Sequence, residues 1–249
     1  MGRVDGRVAI VTGGANGIGR AYVGGLAREG AAVAVVDIDG PAARRVVDEV
    51  RRAGGRALDV ACDVTDAAAV RAMVERVVAE LGTVQVLVNN AGVYPIRPWT
   101  EIDEAEWDRV LAVNLKAAFL CAQAVHPHMK RARYGKIVNV SSDTVLVGTP
   151  NLLHYVSAKA GVIGFTRALA REAGPDGIRV NAILPGLTET DTVVRRLDAA
   201  YFDRIVERQC LPGREQPADL VGALVFLASA ESDFVTGQSL AVNAGFAMQ

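Results

Sequence analysis

Four short runs limit the folds open to this chain: Val8-Ala9-Ile10-Val11-Thr12, Ala32-Val33-Ala34-Val35-Val36, Val86-Leu87-Val88 and Lys136-Ile137-Val138-Asn139-Val140. Each is too continuously apolar to be a strand with one wet face. Side chains alternate across a strand, so an unbroken apolar run must be covered on both sides, as in a parallel sheet. Between the runs, Ile18 to Glu29, Pro41 to Ala53, Ala67 to Leu81 and Glu104 to Arg131 have helical length and period. Two further strands are expected around Arg179 to Ile183 and Ser239 to Val242, with a helix beginning near Tyr155 between the fifth and sixth strands. The alternation predicts βαβ units, and hence an α/β doubly wound parallel sheet of about seven strands flanked by helices.

A chain of 249 residues, 51% hydrophobic, can bury one substantial core, so residues 1–249 are expected to form a single domain. A net charge of -1 and a pI near 6.3 give no electrostatic reason to expect a nucleic acid or an anionic membrane as partner. The N-terminus lacks an apolar signal core, and charged or turn residues are expected to break every hydrophobic stretch before it could span a bilayer. A soluble, cytoplasmic protein acting on a small molecule is therefore expected. Cys62, Cys121 and Cys210 are odd in number and lack metal-like spacing, which predicts reduced thiols and no metal site. The charged stretch after Pro185-Gly186, residues 188–210, reads as a lid over a ligand crevice, with an ordinary surface excursion as the alternative.

The glycines of Thr12-Gly13-Gly14-Ala15-Asn16-Gly17-Ile18-Gly19 stand between the first strand and first helix, where a dinucleotide's phosphates can meet a helix N-terminus. Gly13 permits the tight turn, Gly17 close approach to pyrophosphate and Gly19 close packing of the helix. This makes the domain a Rossmann fold. Asp37 ends the second strand eighteen residues after Gly19, where a carboxylate can accept from both adenine-ribose hydroxyls and would repel a 2′-phosphate. Asp39 adds negative charge and Asn16 is neutral, so NAD is expected over NADP. The alternative makes Asp37 a turn former, with Arg44 or Arg45 binding phosphate. Tyr155 and Lys159, four residues apart, lie on one helix face thirteen residues after Ser142. A phenol titrating near ~10 needs a neighbouring positive charge to act as a base at neutral pH, and Lys159 can supply it. Ser142 can hold a substrate oxygen beside the phenol.

These residues resemble the classical short-chain dehydrogenase/reductase family over essentially the whole chain. The markers are Thr12-Gly13-x-x-x-Gly17-x-Gly19, Asp63-Val64, Asn89-Asn90-Ala91-Gly92, Asn114, Ser142, Tyr155-x-x-x-Lys159 and Pro185-Gly186. The resemblance implies that Asn114, Ser142, Tyr155 and Lys159 are the catalytic set. Asn114 is then expected in a bent helix, holding a water that links Lys159 to solvent. It also implies that Asp63 binds the adenine edge with Val64 beside it. Asn90, Ala91 and Gly92 would line the adenosine ribose, and Thr188 and Thr190 would lie against the carboxamide and phosphates. Ile18, Ile38, Pro185 and Gly186 complete the expected cofactor set. Family members are commonly homotetramers, and that assembly is carried over as an expectation.

Tyr94, Ile96, Thr144, Leu146, Val147, Asn151, Leu152, Leu187 and Val193 are the substrate-pocket candidates, mainly apolar, which suits a hydrophobic or aromatic secondary alcohol and its ketone. Within the family, Asn-Asn-Ala-Gly-Val-Tyr-Pro is similar to bacterial 1-phenylethanol dehydrogenases. Gly148-Thr149-Pro150-Asn151 is similar to pyridoxal 4-dehydrogenase, and the two disagree about substrate. A 3-oxoacyl-carrier-protein reductase is a rival on the same scaffold, opposed by Asp37 and left open by Arg195, Arg196 and Arg97. A non-catalytic NAD-sensing protein is another, although it need not keep Ser142, Tyr155 and Lys159 together. His154 is expected to be a polar residue at a helix start. One departure stands at the C-terminus, where Asn243-Ala244-Gly245 replaces the usual Asp-Gly-Gly. It is expected to affect terminal packing and to leave the catalytic set untouched.

Overall fold

The computed structural model describes Gly2 to Met248. Seven parallel strands form one sheet in the order β3-β2-β1-β4-β5-β6-β7. They are β1 (Val8–Thr12), β2 (Ala32–Asp37), β3 (Arg56–Ala61), β4 (Val84–Asn89), β5 (Gly135–Val140), β6 (Ile178–Pro185) and β7 (Ser239–Val242). The main helices are α1 (Gly17–Arg28), α2 (Gly40–Arg52), α3 (Ala67–Leu81), α4 (Glu104–Leu111), α5 (Ala117–Ala132), α6 (Thr144–Val147), α7 (Leu153–Ala173), α8 (Asp191–Val194), α9 (Ala199–Val206) and α10 (Val221–Ala228). This is a single Rossmann-like α/β domain.

The unbroken apolar strands are covered on both faces. In β1, Val8 and Ile10 enter a core shared with α3, α5 and α7, while Ala9 and Val11 enter a second core shared with α1, α2 and α10. Helix starts follow capping chemistry: Asp39 accepts from the Ala42 amide, Asp66 from Ala68 and Ala69, and Asp103 from Glu106. The strand order reverses between β1 and β4, which opens a crevice at the carboxyl ends of these strands.

Two expectations need correction. β3 gave no clear sequence signal, because Arg-Ala-Leu-Asp-Val-Ala belongs to an edge strand paired on one side only and exposed at both ends. Glu104–Ala132 forms one helical ridge that is long and apolar enough to cross a bilayer by length and composition. Its apolar side is buried in the core through Val110, Ala117, Ala118, Leu120, Cys121, Val125 and Met129. Among the described residues no cluster suited to a metal ion occurs, and the three cysteines are free thiols.

Candidate active site

The turn from β1 into α1 is shaped by close approach. Gly13 and Gly17 have positive φ (61° and 50°), and a Cβ on Gly19 would stand 2.0 Å from the Gly13 carbonyl oxygen and 2.6 Å from Asn90 Nδ2. Gly19 thus fits the helix start against its own turn and β4, whereas helix-to-helix packing falls to Gly25, where a Cβ would stand 2.3 Å from Val221 Cγ1. Asn90 Nδ2 donates to the carbonyls of Thr12 and Gly13 (both 3.0 Å), and the Thr12 hydroxyl accepts from the amides of Asn90 and Ala91 (3.0 and 3.1 Å). The loop after β4 is therefore tied to the glycine turn. Asn16 is exposed at the N-cap of α1, and Ile18 packs half-buried on the second core.

At the end of β2, the Asp37 carboxylate accepts from the Ala15 amide (3.1 Å) and the Asp39 amide (3.1 Å), so one acid joins both loops. Ile38 beside it is 75% exposed, and Arg44 pairs with Asp59 at 3.2 Å. Asp63 is exposed and accepts from the Thr65 amide and hydroxyl, which hold its carboxyl below the usual range, while Val64 is buried in the core. Across the crevice, Thr188 is buried, and Thr190 caps α8 with its Cγ2 3.1 Å from where a Gly17 Cβ would stand. These positions bring a glycine turn, hydroxyls and an acid together along the crevice.

Tyr155 and Lys159 share the first turns of α7, and Ser142 lies just beyond the end of β5. Lys159 is buried, its Nζ 5.7 Å from the Tyr155 ring centroid and donating to the Val140 carbonyl (2.7 Å). Burial pushes its ammonium down to about 8. Burial pushes the Tyr155 phenol up to about 12, and the hydrogen bond with Ser142 works against that rise. The Lys159 ammonium is committed to the Val140 carbonyl. Ser142 Oγ also accepts from the amide and hydroxyl of Thr144 (3.2 and 2.9 Å), so its own O–H is the donor on the Tyr155 side, the direction that favours the phenolate.

Asn114 lies in a π-helical turn, Ala112–Lys116, between α4 and α5. The extra residue turns its amide inward, where Nδ2 donates to the carbonyls of Val93 (2.8 Å) and Val110 (2.9 Å). A cavity of about 10 Å³, enough for a single water, is lined by Thr12, Asn89, Asn114, Asn139 and Val140 among others. Gly92 leaves this corner open, since a Cβ there would stand 2.7 Å from Asn114 Oδ1 and 3.6 Å from Lys159 Nζ.

With that geometry in place, comparison with known proteins decides the family. Residues 13–247 match a family model described as enoyl-(acyl carrier protein) reductase. The chain is 42% identical over 245 residues to (2S)-((R)-hydroxy(phenyl)methyl)succinyl-CoA dehydrogenase subunit BbsD of Thauera aromatica, covering 97% of each protein. It is 39% identical over 247 residues to cyclopentanol dehydrogenase of Comamonas testosteroni, covering 99% of each. The solved structure of 7α-hydroxysteroid dehydrogenase complexed with NADH and 7-oxo glycochenodeoxycholic acid superposes with a TM-score of 0.95 at 33% identity, over 99% of this chain and 96% of that one. The chain belongs to the classical short-chain dehydrogenase/reductase family of oxidoreductases.

This short-chain dehydrogenase/reductase carries two buried carboxyls that sequence reasoning missed. Asp143, next to Ser142, is pushed up to about 6 by burial, and its charge in turn raises Tyr155. Glu215, pushed up to about 7 by burial, accepts from the Thr188 hydroxyl (2.5 Å) and the Gly186 amide (3.2 Å). Asp143 could have been suspected from its place beside Ser142. Glu215 carried no signal, since only folding brings it to a loop 27 residues away. The C-terminal departure also reads differently in three dimensions. Asn243 is buried, donates to the Ala247 carbonyl (2.9 Å) and reaches Asp143 Oδ2 at 3.4 Å. It therefore touches none of Asn114, Ser142, Tyr155 and Lys159 by these bonds but does reach Asp143, the neighbour of Ser142, and an acid at 243 would set like charge against Asp143.

The pocket candidates separate into wall and rim. Tyr94, Thr144, Leu146, Leu152, Leu187 and Val193 are half-buried; Tyr94 meets Tyr155 edge to face with ring centroids 6.0 Å apart. Ile96 and Val147 are 51% and 41% exposed, and Asn151 is exposed with positive φ (62°). The Asn151 carbonyl accepts from the Arg97 amide (2.8 Å), so this residue ties two loops by its backbone. His154 is buried, with Nε2 3.2 Å from Glu106 Oε1 and Nδ1 accepting from the Tyr155 amide (3.0 Å). It caps the helix start, as expected, and the acceptor role at Nδ1 assigns its proton to Nε2.

Proposed function

We propose that this protein is an NAD(H)-dependent oxidoreductase that interconverts a hydrophobic or aromatic secondary alcohol and its ketone. The observation that carries the reading is Tyr155 and buried Lys159 in the first turns of α7, with Ser142 just beyond the end of β5, at the carboxyl edge of the sheet. Three of the relatives have names of this kind, with a hydroxy(phenyl)methyl group, cyclopentanol and a hydroxysteroid, while another is a probable galactose dehydrogenase.

The glycine turn suits a dinucleotide's phosphates, since Gly13 and Gly17 at positive φ bring the chain from β1 straight into the N-terminus of α1 at the crevice. Asp37 supports NAD over NADP: its carboxylate is fixed by two amides, and Arg44, which could have bound a 2′-phosphate, is engaged by Asp59. Thr188 and Thr190, with residues 188–210 as the lid, would close over the other end. A bound nicotinamide supplies the hydride acceptor or donor and, when oxidised, a positive charge. In the oxidative direction the Tyr155 oxygen takes the hydroxyl proton of the substrate, and in reduction it returns it. Ser142 Oγ donates to the substrate oxygen and stabilises the charge that develops there. Lys159 holds its cation on the same helix face, and a water in the cavity beside Asn114 would pass protons outward.

Initial rates of NADH formation across 1-phenylethanol enantiomers, pyridoxine-type alcohols, aliphatic diols and a 3-hydroxyacyl thioester test this reading, with NADP in parallel. Turnover of a secondary alcohol with NAD, reduced about 10²–10⁴-fold in Tyr155→Phe at unchanged NADH affinity, is the expected result. Comparable turnover by Tyr155→Phe would refute the assignment. An unchanged NAD/NADP ratio in Asp37→Ser would show that another group reads the ribose.

A further inference from the structure

One guanidinium is fixed on the aromatic pair at Tyr155, and among the described residues it makes no ion pair. Arg196 follows α8 on the segment over the crevice, and its Cζ lies 5.2 Å from the centroid of the Tyr94 ring. Tyr94 in turn lies 6.0 Å, edge to face, from Tyr155. The guanidinium is thus two aromatic steps from the phenol that faces the reacting carbon. Stacking on a ring face orients a guanidinium while leaving its N–H edge free for hydrogen bonds.

Arg97 and Arg214 are already engaged. Arg97 binds Glu106 at 2.8 Å, and Arg214 binds Glu189 and Asp203 at 3.0 and 2.8 Å. Among the described residues neither Arg196 nor Arg195 makes an ion pair, but only Arg196 is fixed on a ring. A cation fixed on an aromatic that itself packs on Tyr155 matches a ligand with an apolar body and an anionic end. One guanidinium balances one charge, which favours a carboxylate over a doubly charged phosphate.

We infer that the substrate of this enzyme bears a carboxylate, bound by Arg196, on the end of the molecule remote from its carbinol or ketone carbon. The inference rests on the alcohol–ketone reading above and narrows its substrate class to amphiphilic hydroxy and oxo acids.

The test compares 4-acetylbenzoate and 4-(4-acetylphenyl)butanoate, each beside its primary amide, on wild type, Arg196→Gln and Arg195→Gln. Two readouts are taken: NADH-dependent reduction, and calorimetric binding with and without NADH. The expected result is a preference for at least one acid over its amide of roughly ten- to hundredfold, expressed mainly in KM and binding, weakened by salt, lost in Arg196→Gln and kept in Arg195→Gln. Equal handling of acid and amide, or a preference that survives Arg196→Gln, overturns the inference. Binding that selects the acid through Arg196 without any reduction would uphold the anion site and count against the proposed reaction. Reduction with no charge preference would do the reverse.

Discussion

Asp143→Asn should change how stability depends on pH, and by a predictable amount. Burial lifts this carboxyl from its ordinary 3.8 to about 6, so between those values the folded protein binds a proton that the unfolded chain has released. Stability contributed by the protonated form is complete below about 4, falls as pH rises, and is lost above about 6. Two pKa units correspond to about 3 kcal/mol in all, and roughly half of that falls between pH 5 and pH 8. Asparagine does not titrate. The absolute offset between variant and wild type includes a new amide N–H₂ that must find a partner, but this term is the same at both pH values and cancels in the difference. Thermal unfolding of both proteins at pH 5 and pH 8 is the assay. The Tm of the variant relative to wild type should rise by about 3–6 °C between the two, using the usual 2–4 °C per kcal/mol for a chain of this size. Glu215 reinforces the effect, because the Asp143 charge helps hold it up near 7. A pH-independent offset, or one that shrinks toward pH 8, would refute the view that Asp143 is a buried acid carrying charge at neutral pH.

Three other changes test the architecture around the site. Gly19→Ala places a methyl 2.0 Å from the Gly13 carbonyl, so NADH affinity by fluorescence titration should fall at least tenfold; full retention would mean that the turn can shift freely. Ala244→Gly relieves a left-handed residue (φ 53°) and should stabilise the protein by about 1 kcal/mol, read as a rise in Tm of about 2–4 °C. Glu106→Ala cuts the bonds from Arg97 and His154 that brace the pocket loop against the first turn of α7. Here kcat/KM should drop about tenfold with cofactor affinity intact, and an equal loss in both would mean that the damage is global.

Much of the site was legible in the sequence because its parts are local. The glycine turn, Asp37 at a strand end, and Tyr155 and Lys159 on one helix face each depend on spacings of a few residues, and the fold keeps them as read. The wet-face argument for β1, β2, β4 and β5 held for a similar reason, since an unbroken apolar strand has one stable environment. β3 escaped because an edge strand needs less coverage. The helix from Glu104 was legible at nearly its full length, but its spanning hydropathy was missed because the few charged residues in its middle, such as Lys116, interrupt the apolar run without making the whole polar.

The sequence by itself determined the parallel sheet, the crevice at its carboxyl edge and the hydroxyls and amine gathered there, since hydrophobic period and backbone freedom are properties of neighbouring residues. Only the tertiary structure decided the electrostatics. It buried Asp143 beside Asn243, joined Glu215 to Thr188, turned the Lys159 ammonium toward Val140, and left Arg196 unpaired over Tyr94. Charge and desolvation depend on what lies within a few ångströms in space, and for these groups the deciding neighbours are far away along the chain.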